Sequence, residues 1–396
     1  MGDNLTMGSN KAFTLFDMGL FSGKPQHEQF CRLHELGTVS TLKPSANPHI
    51  FPDGEKLTLP DTYTGGDGKE HSSSELLKDT ATGALLVLHD GKVAFEEYWL
   101  TSGPEVPWLS MSVAKSFTST LVGIAHAEGH IKSLDEPISK YVKVQPGSAY
   151  DGVPIRTVLR MSSGARWNED YSDPNSDIAL FGRAPSGEDG GCLDDFIASM
   201  VREVEPDTVC RYNSAETQVL GALVKGATGR SVTDYMQEKL YEPLGMRYPG
   251  YWLLDSRNVE HTYGGLNLSA QDFAKIGELF RLDGEWNGRQ IVPKEWVREA
   301  TTVDGPLREP GQPIVGGHNL SLGYGYQWWV PPGDEGEFSG IGVYNQFVYV
   351  NPARGVTIVK SSANPRYGIS EQEEDNKDIE NLAFLQALAR QFPKKA

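Results

Sequence analysis

Apolar and polar positions change rhythm along this chain, and the changes mark its elements. Over 83–99, GALLVLHDGKVAFEEYW sets two β-branched and aromatic runs around Asp90-Gly91. An Asp-Gly pair accepts the positive φ angles of a tight turn, so the stretch reads as a β-hairpin. NQFVYVNPARGVTIVKSSA, over 345–363, reads as a second hairpin turning at Asn351–Gly355. Between the two, a period near 3.6 predicts helices over 113–128, 189–203, 214–227, 231–241, 269–281 and 293–300. The last periodic segment, SEQEEDNKDIENLAFLQALARQF, predicts one further helix. Ser370 and Glu373 have the spacing of a capping box, and Ile379, Leu382, Leu385, Leu388 and Phe392 form one apolar stripe.

Strands at both ends and helices in the middle predict a mixed α/β (α+β) fold. An antiparallel sheet flanked by helices would be built from N- and C-terminal segments, with a mainly helical domain inserted. The expected boundaries are an irregular extension over 1–80, a sheet domain over 81–130 and 266–396, and a helical domain over 131–265. The active site would lie between the last two. The alternating βαβ pattern of a Rossmann fold is absent, and so is a G-x-S-x-G elbow.

Charge narrows the function. A formal net charge of −17 opposes binding to nucleic acid or to an anionic lipid surface. No apolar run of about 18 residues suggests a membrane span, and the N-terminus lacks the basic start and apolar core of a secretory signal. Three cysteines, Cys31, Cys192 and Cys210, are too few for a disulfide framework and lack metal spacing. A cytoplasmic location is expected, with no cofactor. His126 and His130 in HAEGH do not form H-E-x-x-H, and Gly129 should end the helix between them, so no metal is expected.

The candidate chemistry lies in WLSMSVAKSFTSTL. Ser112 and Lys115 are three apart at the start of a predicted helix, so they share a face. A serine hydroxyl needs a base to become a nucleophile, and a lysine serves if it is neutral. Burial or the positive end of a helix would favour the neutral amine, and the same helix end offers N–H groups to an oxyanion. S-x-x-K also arises by chance with a solvated lysine, and a Ser-His-Asp triad stays open at this point.

Further segments follow in order: SLDEPISKYV (133–142), VLRMSSGA (158–165), YNSAETQVLGALVKGATG (212–229), YEPLGM (241–246), GYGYQWW (323–329) and FSGIGVYNQFVYVNP (338–352). With the Ser112 motif they resemble the serine β-lactamase-like superfamily, which includes class C β-lactamases, DD-peptidases, family VIII carboxylesterases and 6-aminohexanoate-dimer hydrolases. The resemblance covers about residues 80–390. It implies Ser112 as nucleophile, Lys115 as its base and Tyr212 as proton relay, with Ser214 in the third place of the Y-x-S motif. It also implies an oxyanion hole from the N–H groups of Ser112 and Val343. Gly340-Ile341-Gly342 stands where lactamases carry Lys-Thr-Gly, so Gly340 replaces the lysine that meets an antibiotic's carboxylate. The Gly-Ile-Gly form, with NEDYSDP and QWW, resembles the dimer hydrolases most. By that likeness Tyr171, Tyr263 and Trp329 should line the substrate cleft, and Gly182 falls where an acid would hold an amine.

The resulting expectation is a serine hydrolase acting through an acyl-enzyme on small carboxylic esters, with linear amides second. Two alternatives stand beside it: a penicillin-recognising binding protein that acylates slowly or not at all, and a β-lactamase or DD-peptidase. The expected partner is a small-molecule substrate, and a homodimer is left open.

Overall fold

The computed structural model describes residues 11–187, 191–304, 320, 322–370 and 372–395. Four helices organise the fold: α1 (Ala114–Ala127), α2 (Ser214–Thr228), α3 (Ala270–Arg281) and α4 (Asp378–Ala389).

The run Ala84–Leu88 is apolar at every position, without alternation. It lies in the strand Thr82–His89, and both of its faces are covered. Leu86 and Leu88 pack in one cluster with Phe273 and Ile276 of α3. Leu85 and Val87 pack in another with Leu382, Leu385 and Leu388 of α4. A strand buried on both faces has no polar side to show. Its sheet has seven strands, all antiparallel: Gly323–Tyr324, Trp329–Val330, Phe338–Gly342, Gln346–Asn351, Val356–Ser362, Thr82–His89 and Lys92–Tyr98. N- and C-terminal segments therefore meet in one sheet, with Lys360 opposite Leu85. The first hairpin turns on Asp90 (φ 49°) and Gly91 (φ 72°), as the Asp-Gly pair requires.

A second, four-stranded sheet orders Val39–Leu42, Gly250–Leu253, Leu266–Leu268 and Trp108–Leu109. One of its strands comes from the first 80 residues. That region also forms the hairpin Thr62–Thr64 with Glu70–Ser72 and the helix Ser73–Asp79. It is more regular than its Gly- and Pro-rich composition suggests: Val39–Leu42 is fixed by the distant strand Gly250–Leu253, and Tyr63 of the local hairpin bonds Glu380 at 2.9 Å.

Two helix expectations are corrected. The final helix is not continuous. Lys377 takes φ 55° and separates the turn Glu373–Asn376 from α4. Ser370 bonds Asp375 Oδ2 at 2.7 Å, and Glu373 Oε1 instead accepts from the N–H groups of Ile379 (2.7 Å) and Glu380 (2.9 Å). Glu373 thus serves the free N–H groups of the second helix rather than closing a box on the first. The buried Asp378 fixes the break, accepting from Asn345 Nδ2 at 2.9 Å and Tyr367 Oη at 2.6 Å. The helix expected over 189–203 is only Leu193–Ala198 where the residues are described; 189 and 190 lie outside the described residues.

Helix α1 is buried from Ala114 to Ala125, hydroxyls included. Ser116 and Ser119 donate to the carbonyls of Gln327 and Tyr326, each at 2.8 Å, and Thr120 donates to Ser116 at 2.7 Å. Satisfied hydroxyls let a polar helix sit centrally. Gly129, at φ 78°, follows the helix end, and His126 Nδ1 pairs with the Ile131 carbonyl at 2.8 Å. Among the described residues no group of three His, Cys, Asp or Glu is placed to hold a metal, and no helix is long and apolar enough to cross a membrane.

Packing on α1 gives a stability prediction. A Cβ at Gly123 would lie 2.5 Å from the Trp296 indole. Gly123→Ala is expected to destabilise by about 1–3 kcal/mol, although alanine is the better helix former by about 1 kcal/mol. Urea unfolding measures it. A stabilised variant would mean that the indole yields freely.

Candidate active site

Three segments converge at Ser112. The strand Trp108–Leu109 pairs with Leu266–Leu268, and Ser110 N–H donates to the Leu266 carbonyl at 2.8 Å. The chain then enters a single tight turn, Met111–Val113, which runs directly into α1. Met111 is buried at φ 45°. A left-handed non-glycine residue costs roughly 1–2 kcal/mol, and such strain gathers where surrounding contacts over-determine the backbone. One of those contacts is Gly342. A Cβ there would fall 2.7 Å from the Ser110 carbonyl oxygen and 3.0 Å from Ser112 N, so only glycine lets this strand end approach the turn. The approach sets Val343 beside Ser112 on the wall of one cavity.

Lys115 is one helical turn further on and only 2% exposed. Its Nζ lies 3.0 Å from Ser112 Oγ, 3.1 Å from Ser214 Oγ and 2.8 Å from the Tyr263 carbonyl oxygen. Burial lowers its pKa to about 7, against the opposing pull of Glu169. Ser112 stands at the entry to α1 and Ser214 opens α2, so the positive ends of two helices meet across this amine.

Tyr212 precedes α2, where Asn213 caps the helix by accepting from Ala215 N–H at 2.9 Å. Its ring stacks on Trp329 with centroids 5.2 Å apart and meets the edge of Tyr324 at 6.0 Å. Its hydroxyl is hydrogen-bonded to Ser112, and Lys115 Nζ lies 5.2 Å from its ring centroid. Burial holds its pKa well above the ordinary tyrosine value, so the phenol keeps its proton.

The residue that sequence reasoning missed is Glu169. It is fully buried. Oε1 accepts from Ser214 Oγ at 2.6 Å and from Tyr171 Oη at 2.9 Å. Oε2 accepts from Ser214 N–H at 3.1 Å and from the Trp167 indole. This fixes the direction of the whole chain of bonds. Ser214 gives its hydrogen to a carboxylate, so its oxygen accepts from Lys115. The Tyr263 carbonyl can only accept. A neutral lysine then spends both N–H groups on Ser214 and Tyr263, and its lone pair is left for the Ser112 hydroxyl. The only signal in the sequence was the spacing Trp167-x-Glu169-x-Tyr171, which says nothing of Ser214.

The cavity beside Ser112 has a volume of about 40 Å³. Tyr171, Ser214, Tyr263 and Val343 are among the residues that line it. Trp329 and Gly182 are not on this wall. Trp329 is 3% exposed and backs Tyr212 from behind. Gly182 is buried under Phe16, whose ring occupies the space a Cβ there would need. Four wall residues, Leu15, Phe16, Leu20 and Phe21, come from the N-terminal segment.

Comparison with known proteins agrees with this fold. The family described as Beta-lactamase matches residues 74–383. The 6-aminohexanoate-dimer hydrolase of Paenarthrobacter ureafaciens is 30% identical over 345 residues, 85% of either chain. A solved Bacillus anthracis protein, provisionally named as such a hydrolase, superposes with a TM-score of 0.77 at 22% identity, covering 95% of this chain and 99% of that one. EstCE1, a hydrolase with promiscuous acyltransferase activity, gives a TM-score of 0.59 at 16% identity over 80% of this chain and 96% of its own. At these identities the two structures share the fold.

Proposed function

The chain belongs to the β-lactamase family of serine hydrolases, and from that premise we propose that it hydrolyses small carboxylic esters through an acyl-enzyme on Ser112. The observation that carries the proposal is the 3.0 Å contact between Ser112 Oγ and a buried lysine whose pKa is brought down to about 7. Near neutrality a large fraction of that amine is unprotonated and able to act as a base.

Ser112 Oγ attacks the carbonyl carbon while its proton passes to Lys115 Nζ. The N–H groups of Ser112 and Val343 hold the oxyanion. As the carbon–oxygen bond to the leaving alcohol breaks, the proton returns to that oxygen through Tyr212. Water then attacks the acyl-enzyme, with Lys115 and Tyr212 again moving the proton, and Ser112 is regenerated. No cofactor enters these steps.

Linear amides of the 6-aminohexanoate type are the second substrate class, supported by the name of the curated relative. β-Lactams come last. Among the described residues no charged side chain lines the cavity, and Gly340 stands where the resemblance puts a carboxylate-binding lysine. A missing charge-assisted hydrogen bond costs roughly 1.5–3 kcal/mol, about ten- to a hundredfold in rate. The kcat/KM for p-nitrophenyl butyrate is therefore expected to exceed that for nitrocefin, and that for the linear 6-aminohexanoate dimer, by at least tenfold. A dimer value within about threefold of the ester would overturn this preference. A fluorophosphonate probe tests the reading itself: its label is expected on Ser112, and labelling of a different serine would refute the mechanism. Sustained turnover of p-nitrophenyl butyrate after the first burst separates the enzyme from a binding protein that acylates slowly or not at all.

A further inference from the structure

The wall of the cavity carries information that the reaction scheme leaves unused. Its apolar side is supplied by a segment far from Ser112 in sequence. The turn Leu15–Met18 is closed by Thr14, whose N–H and Oγ1 both reach Asp17 Oδ2, at 2.7 and 2.9 Å. Its end is pinned by two buried or half-buried amides. Gln26 Nε2 donates to the carbonyls of Met18 (3.3 Å) and Gly19 (3.2 Å), and Gln29 Nε2 donates to Met18 at 3.0 Å. Phe21 stacks on Tyr171 with centroids 4.7 Å apart and planes 15° apart, and its N–H donates to Tyr344 Oη at 2.6 Å. It does so at φ 61°, a conformation a phenylalanine adopts only when held. Phe16 completes the wall. Its ring lies on the bare backbone of Gly182, in the helix Asp177–Arg183, where any side chain would collide with it.

Size and polarity then set what fits. The volume of about 40 Å³ holds roughly three water-sized groups. Among the described residues no charged side chain lines this space to pair with an ionic group, and burying a charge without an ion-pair partner is strongly unfavourable. Met111, Ser112 and Val343 are among the residues that line the cavity, so a group filling it lies against the carbonyl that Ser112 attacks.

We propose that the N-terminal segment Leu15–Phe21 forms the acyl pocket of this enzyme, that the pocket selects short, uncharged aliphatic acyl groups, and that Phe16 sets their length. The proposal rests on the serine hydrolase reading and deepens it. It also explains Gly182: the position is bare so that an aromatic ring from the N-terminal segment can pack there. An acidic side chain introduced at 182 alone would have to displace that ring before it could meet a substrate amine.

The test is an acyl-chain series of p-nitrophenyl esters from acetate to decanoate. For the unaltered protein, kcat/KM is expected to peak at four carbons or fewer and to fall at least tenfold by eight. Phe16→Ala is expected to move the peak to longer chains and to raise the octanoate value at least tenfold relative to acetate. Phe16→Leu, a milder change that retains the apolar contact with Gly182, is expected to fall between the two and serves if the alanine variant does not fold. An unchanged chain-length profile in a folded Phe16 variant would overturn the proposal. So would a peak at eight or more carbons in the unaltered protein. In both cases fluorophosphonate labelling of Ser112 would leave the hydrolase reading intact; labelling elsewhere would instead remove that reading.

Discussion

Ser112→Ala is expected to lower turnover of p-nitrophenyl butyrate by at least about a thousandfold, the loss that follows when a covalent nucleophile is removed. The expectation rests on how little else could substitute. Ser214 is the other hydroxyl within reach of Lys115 Nζ, at 3.1 Å. Its hydrogen, however, is committed to Glu169 Oε1 at 2.6 Å, so its oxygen faces the amine as an acceptor. His261 is buried, with its pKa pushed down to about 3 by desolvation, and its Nδ1 lies 3.4 Å from Tyr263 Oη. It is neutral at working pH, and among the described residues the base hydrogen-bonded to Ser112 is Lys115 rather than a histidine of the Ser-His-Asp kind. The alanine variant should keep its fold, because Ser112 sits at the cavity edge and the turn is held by Met111 and Gly342 rather than by the hydroxyl. Circular dichroism and a urea midpoint check that point, and steady-state rates give the result. Residual activity at a tenth of the original would require a different nucleophile.

What the sequence disclosed and what it withheld divide along physical lines. The hairpin at Asp90-Gly91, the stripe Leu382–Leu385–Leu388 and the Ser112–Lys115 spacing are local. Turn chemistry, helical period and one helical turn suffice to read them. Tyr212 became legible only through the order of motifs around it. Glu169 did not, because its meaning depends on Ser214, 45 residues away. Phe16 and Gly182 are farther apart still, and a glycine in a helix announces neither the ring that covers it nor the cavity beside it. The break at Lys377 was hidden for the same reason. The apolar stripe begins only at Ile379, after the break, and so does not mark it, while Asp378 is held by Asn345 and Tyr367 from other parts of the fold. Trp329 was assigned to the cleft by resemblance, and its stack on Tyr212 could not be read from the sequence.

The second large effect is expected at Lys115, where charge and basicity can be separated. Lys115→Arg should be as damaging as Lys115→Ala, at least about a thousandfold in kcat on the butyrate ester. Arginine keeps the positive charge but cannot give up a proton near neutral pH. If Lys115 supplied only a positive field, the arginine variant would retain most of its activity, and that outcome would exclude the lysine as base. The pH profile tests the same point in the unaltered protein. The active form is the neutral amine, so kcat/KM should rise with pH through about 7 and level off above it. The linkage to stability has the same sign. The folded lysine releases its proton near 7 and the unfolded one near its ordinary value of 10.5. Between those values the unfolded chain binds more protons, so this group's contribution to stability improves as pH rises from 7 towards 10.5 and is least favourable below 7. Glu169 supplies the opposing control. Its carboxylate favours the charged lysine against burial, so Glu169→Gln should carry the rising limb of the profile to lower pH, by roughly 1. Glu169→Asp, which restores the charge, should return the limb towards its original place. A residue that merely packed would change the height of the profile and leave its midpoint where it was. A midpoint moved to higher pH by Glu169→Gln would mean that the carboxylate does not act on the lysine through its charge.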